Sequence, residues 1–113
     1  MGKVLDFNKL KKRYLTVTLA DKERTTIMIG TPTKKTVDEL LALKYNLEEL
    51  KDDYGNEEST DELYKACAKI MSNNKGGIEI SKEKLEDTFD FEDIMVFFNA
   101  YMEFVKEITN AKN

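Results

Sequence analysis

The residues that could do chemistry in this sequence are few, and their spacing argues against it. There is no histidine and a single cysteine, Cys67. Without histidine the usual general base, the usual partner of a nucleophile and the commonest metal ligand are missing. Cys67 shares an apolar helical stripe with Leu63, Tyr64, Ile70 and Met71, the place of a small core residue rather than of an activated thiolate. Ser59 and Ser81 precede helical stretches as caps and Ser72 closes one, so none has the strand–turn–helix context of a nucleophile elbow. Gly76-Gly77 follows a helix instead of opening one, which is the wrong side for cradling a phosphate. Glu86/Asp90 and Asp90/Asp93 are carboxylates at helical spacing near helix N-termini, where the macrodipole favours them. The acidic run 52–58 lacks the alternating ligands, central glycine and late glutamate of a calcium loop. The expectation is a protein without catalytic residues, metal or cofactor.

What remains is apolar surface, and the longest stretch of it spans residues 89–108, the element around which the sequence is expected to be organised. At about 100° per residue, Ile94, Phe97, Phe98, Tyr101, Phe104, Val105 and Ile108 fall on one helical face. Phe91, Met95 and Met102 widen it to roughly half the cylinder, beyond the ~100° stripe of an ordinary surface helix. Glu92, Asp93, Asn99, Glu103, Lys106 and Glu107 hold the other side, with Val96 stranded among them. Phe91, Met95, Phe98 and Met102 are therefore the candidate residues for self-association or partner binding. Methionine suits such a margin because its unbranched side chain repacks against different partners.

The preceding segments supply a scaffold. Leu15, Val17 and Leu19 alternate with Tyr14, Thr16 and Thr18, and residues 25–30 alternate again through Ile27 and Ile29. With the polar turn 20–24 between them, these predict a β-hairpin. Two strands alone are marginal in water, so the hairpin must lie on helices, and residues 4–7 are a candidate third strand. Gly30-Thr31-Pro32 ends the sheet. Thr33 or Thr36 caps a helix through Val37, Leu40, Leu41, Leu43, Leu47 and Leu50, and Ser59 or Thr60 starts the next. Asn73-Asn74-Lys75-Gly76-Gly77 stops that helix, Ile78-Glu79-Ile80 is extended, Ser81 caps a brief helix, and Asp90 caps the last. The fold class is α+β: an N-terminal hairpin packed on a C-terminal bundle of three to four helices. One domain covers 1–113, with a β portion at 1–32 and a helical portion at 33–113.

Composition agrees with an interaction domain. The 113 residues are 41% hydrophobic and 35% charged, with six Phe and five Tyr, which is enough for one core. A net charge of −4 disfavours a nucleic-acid partner, and the basic cluster Lys9, Lys11, Lys12 and Arg13 reads as a solvated approach to the first strand. No apolar run nears the ~18 residues of a spanning helix. The opening shows no signal-peptide core, and Asp6 stands where a myristoylation signal wants Ser or Thr. One cysteine fits a reducing compartment, so a cytoplasmic protein without membrane contact is expected.

Several segments together resemble the tail assembly chaperones of long-tailed bacteriophages and prophages of Gram-positive bacteria. They are the opening Val4-Leu5-Asp6-Phe7, the hairpin residues 14–19 and 27–33, Glu62-Leu63-Tyr64, the turn region 70–80 and residues 93–105. The likeness spans nearly the whole chain and rests on structural patterns, not on a catalytic signature. It implies a protein with an N-terminal β portion and C-terminal helices that acts in the bacterial host cytoplasm and is absent from the mature virion. It further implies homo-oligomers that coat the tape-measure protein and keep it soluble until tail-tube subunits, the major tail protein, polymerise around it. Such chaperones are often made in two lengths by a −1 frameshift, and Ala111-Lys112-Asn113 is compatible with a slippery A AAA AAC. A minor structural or completion protein of the tail, and a host adaptor that binds an amphipathic helix, are the alternative readings.

Overall fold

The computed structural model describes residues 4–6, 12–49 and 57–110. In chain order these form β1 (Leu15–Thr18), β2 (Thr26–Ile29), α1 (Lys34–Glu49), α2 (Glu57–Ser72), α3 (Lys82–Thr88) and α4 (Phe91–Asn110). The arrangement is α+β, an antiparallel hairpin followed by four helices. The sheet has two strands; residues 4–6 form none, and Phe7 lies outside the described residues.

The hairpin pairs Leu15 with Ile29, Thr16 with Met28, Val17 with Ile27 and Thr18 with Thr26. Ile27 and Ile29 are buried, Leu15 and Val17 half-buried, while Thr16, Thr18, Thr26 and Met28 face outward, as the two-residue period requires. Asp21 builds the turn: its carboxylate accepts from the Thr25 N–H (2.9 Å) and the Thr25 hydroxyl (2.6 Å). Its carbonyl accepts from the Arg24 N–H (3.1 Å), with Arg24 held at φ 53°.

The outer edge of β2 is covered by the turn after α2. The Gly30 N–H donates to the Asn73 carbonyl and the Lys75 N–H to the Met28 carbonyl, both at 2.9 Å. The Asn74 side chain holds this turn together, donating to the carbonyls of Met71 (2.8 Å) and Ile78 (2.7 Å) and accepting from the Ile78 N–H (2.9 Å). Gly77 completes it at φ 68°, a left-handed conformation that disfavours a Cβ. The Ser72 hydroxyl then clamps Ile80, accepting from its N–H and donating to its carbonyl, both at 3.0 Å.

Helix starts follow local capping. Thr33 Oγ1 accepts from the Thr36 N–H (3.3 Å) at α1, and Ser81 Oγ from the Lys84 N–H (3.1 Å) at α3. At α4 Asp90 and Asp93 cap reciprocally, at 2.8 and 3.2 Å. α2 begins at Glu57, two residues before the earliest expected cap, because Glu is a good helix former and lets the helix extend back. α2, not α4, is the hub: α1, α3, α4 and β2 all pack against it. Its Leu63, Cys67 and Met71 are fully buried, together with Ile29, Leu85 and Ile94 from the elements around it. Tyr101 anchors the α4 side, with its ring 6.1 Å from that of Phe97 and 6.0 Å from that of Phe104.

Candidate interaction surface

Helix α4 presents three sectors. Ile94, Phe97, Phe98, Tyr101, Phe104 and Val105 are buried in the core. On one flank Phe91, Met95 and Met102 are half-buried, packed against the core with part of each side chain at the surface. Of the four residues singled out in the sequence, these three share that flank. Phe98 is only 2% exposed, because it falls on the arc of Ile94 and Val105 and its ring is taken into the core. In a single chain Phe98 thus supports the flank from beneath.

The opposite flank carries a feature the helical projection passed over. Asp93 lies three and four residues before Val96 and Phe97, which lie four and three before Ala100, and together they face Leu15–Thr18, Ala20 and Phe89 across a groove of about 350 Å³. Val96 is 64% exposed. Its isolation among polar neighbours was the sequence signal; what it faces depends on where the hairpin docks, which no local pattern encodes. At about 100° per residue this flank lies roughly opposite the Phe91/Met95/Met102 flank, with the core sector between them.

The β1 side of that groove is a sheet edge. Leu19 N–H donates to the Thr25 carbonyl (2.8 Å), so by the antiparallel alternation Val17 and Leu15 also bond inward to β2. The backbone N–H and C=O of Thr16 and Thr18 therefore point away from β2. Among the described residues no segment covers this edge, whereas that of β2 is closed by residues 73–75. Further apolar exposure lies on α1, at Leu41 (51%), which belongs to that helix's apolar stripe, and at Tyr45 (63%).

The remaining reactive groups are occupied with structure. Burial pushes the Cys67 thiol up to about 12, so it stays protonated and inert. Burial likewise raises Tyr101 to about 12. Tyr64 is raised by burial first and by the nearby Asp90 charge second, and its hydroxyl donates to the Phe89 carbonyl (2.9 Å). The Thr25 hydroxyl, the Thr25 N–H and Lys84 together lower Asp21 to about 2. Among the described residues no three His, Cys, Asp or Glu side chains are grouped to hold a metal ion, and no helix is long and apolar enough to cross a membrane. No family model, curated protein or solved structure matches this chain.

Proposed function

We propose that this protein is a tail assembly chaperone of a long-tailed phage or prophage, which self-associates and holds the tape-measure protein soluble before the tail tube forms. The observation that carries the reading is the half-buried Phe91, Met95 and Met102 flank of α4, supported by the sequence resemblance across the hairpin, turn and final helix. Completing the burial of three such side chains is worth about 0.7–1.5 kcal/mol each, half of the ~1.5–3 kcal/mol for full burial. The sum, roughly 2–5 kcal/mol, reaches only the lower end of the ~4–15 kcal/mol cost of associating two molecules. One contact is therefore weak and reversible, and firm holding comes from many copies on one long client. That suits a chaperone that must be stripped off as tube subunits, the major tail protein, polymerise. The site of action is the host cytoplasm, and the protein is left out of the finished particle.

Co-expression with the tape-measure protein of the same phage or prophage tests the reading. The tape-measure protein should move from the insoluble to the soluble fraction, and a Met95→Glu/Met102→Glu variant should return it to the pellet. If the wild-type chain leaves its solubility unchanged, the chaperone reading is wrong. Mass spectrometry of purified particles separates it from a tail subunit, which would be retained there.

A further inference from the structure

We infer that copies of this chain join by arm exchange, the apolar N-terminal segment of one copy adding a strand to the open β1 edge of the next and filling the groove beside Val96. This deepens the self-association part of the proposed function.

Three observations specify the occupant. The first is the groove itself, whose floor combines a sheet edge, where no described residue pairs with the outward backbone groups of Thr16 and Thr18, with an apolar helix stripe at Val96, Phe97 and Ala100. An extended segment with alternating apolar residues fits such a site, since its backbone continues the ladder while every second side chain enters the groove. A two-stranded sheet is marginal and an uncovered edge is an invitation to pair, so a third strand answers both.

The second is the arm. Val4 is 91% exposed and Leu5 68%, so the chain holds an apolar segment and an apolar groove without seating one in the other. Residues 8–14 join them and carry Lys9, Lys11, Lys12 and Arg13 with neither glycine nor proline. Laying residues 4–7 along their own β1 would need this link to reverse tightly, which four like charges in it oppose.

The third is charge. The first thirteen residues hold five of the chain's 18 Lys and Arg but one of its 22 Asp and Glu, so the rest is strongly acidic. A basic arm on an acidic body is complementary between copies, and Asp93 in the first turn of α4 places a carboxylate on the groove wall. Each copy offers one arm and one groove, so the contact propagates to a ring or a spiral, or closes as a reciprocal pair.

Sedimentation of the full chain at tens of micromolar should give a mass that is a multiple of 13.1 kDa. Leu5→Asp in the arm and Val96→Glu in the groove should each return it to 13.1 kDa with helical circular dichroism intact, since both positions are exposed. Mixing a Leu5→Cys chain with a Val96→Cys chain and oxidising with a copper–phenanthroline catalyst in air, oxygen taking the two electrons, should give a disulfide-linked pair, Cys67 being too buried to compete. A strict monomer in the unmodified chain overturns the inference, as does an oligomer whose mass neither variant changes. A Leu5→Cys/Val96→Cys double variant that closes only within one chain also overturns it, by showing the arm on its own body. Tape-measure solubility is scored separately, so failure of the chaperone reading leaves these measurements standing, and the reverse.

Discussion

Truncating Phe98 should destabilise the protein far more than truncating Met95 or Met102, although all three belong to one helical arc. Phe98 is 2% exposed, so Phe98→Ala leaves a cavity worth about 3–5 kcal/mol. A buried Met→Ala costs about 2–5 kcal/mol, and half-burial brings Met95 or Met102 to roughly 1–2.5 kcal/mol. With a denaturant slope of about 2 kcal/mol per M urea, the midpoint should fall by about 1.5–2.5 M for Phe98→Ala and by about 0.5–1.2 M for either methionine. Urea titration followed by far-ultraviolet circular dichroism reads this directly, and tape-measure solubility at a concentration of urea-free protein where all variants remain folded supplies the second axis. The methionine variants should lose client with little loss of stability, and Phe98→Ala should lose stability first. Equal midpoints for all three would refute the division of α4 into core and flank. A methionine variant as unstable as Phe98→Ala that still holds client would remove the proposed surface altogether.

Other consequences are local. The Cys67 thiol, fully buried and raised to about 12, should not react with a disulfide reagent in the native state and should titrate as one thiol on unfolding. Asp21 is lowered from 3.8 to about 2, so the stability it contributes is complete above about 3.8 and is lost as pH falls from there through about 2. Asp21→Asn should flatten that acid limb of a thermal-melt series, and an unchanged limb would show that other carboxylates govern it. Asn74→Ala removes three side-chain hydrogen bonds from the turn that covers β2 and should cost about 1–3 kcal/mol, with amide exchange quickening first at Gly30 and Lys75.

The parts of this fold that were legible in the sequence are those set by short-range rules. The hairpin follows from alternation at Leu15/Val17 and Ile27/Ile29, and Ser81 and Asp90 cap α3 and α4 because an oxygen acceptor before a helical run satisfies free N–H groups. The central role of α2 was not legible from its stripe alone. Cys67 and Ala68 are small, and small side chains let neighbours approach closely, but which neighbours do so depends on the whole chain. Asn74 was readable as a helix stop and not as the cover of a strand edge, since its turn meets β2 from more than forty residues away. For the candidate surface, periodicity found the width of the apolar arc on α4 but not its orientation. Placing Phe98 inside and Val96 at a groove required knowing where α2 and the hairpin lie.

The two flanks of α4 bear on whether client binding and self-association compete. On the proposed reading the client meets Phe91, Met95 and Met102, and the neighbouring copy meets Val96 and Ala100. These sets lie about 140° apart around the helix, with the polar face on the short side between them and the buried sector on the long side. A client on one flank therefore leaves the other open, and adding client should preserve or raise the oligomer mass. Preservation has an energetic reason too: each single client contact is weak, so retention depends on neighbours held at high effective concentration. Sedimentation of the oligomer with a soluble tape-measure fragment distinguishes the cases. Stable co-sedimentation supports separate surfaces, whereas dissociation into one-to-one complexes would mean that client and neighbour use the same face, and the assignment of one flank to each would have to be abandoned.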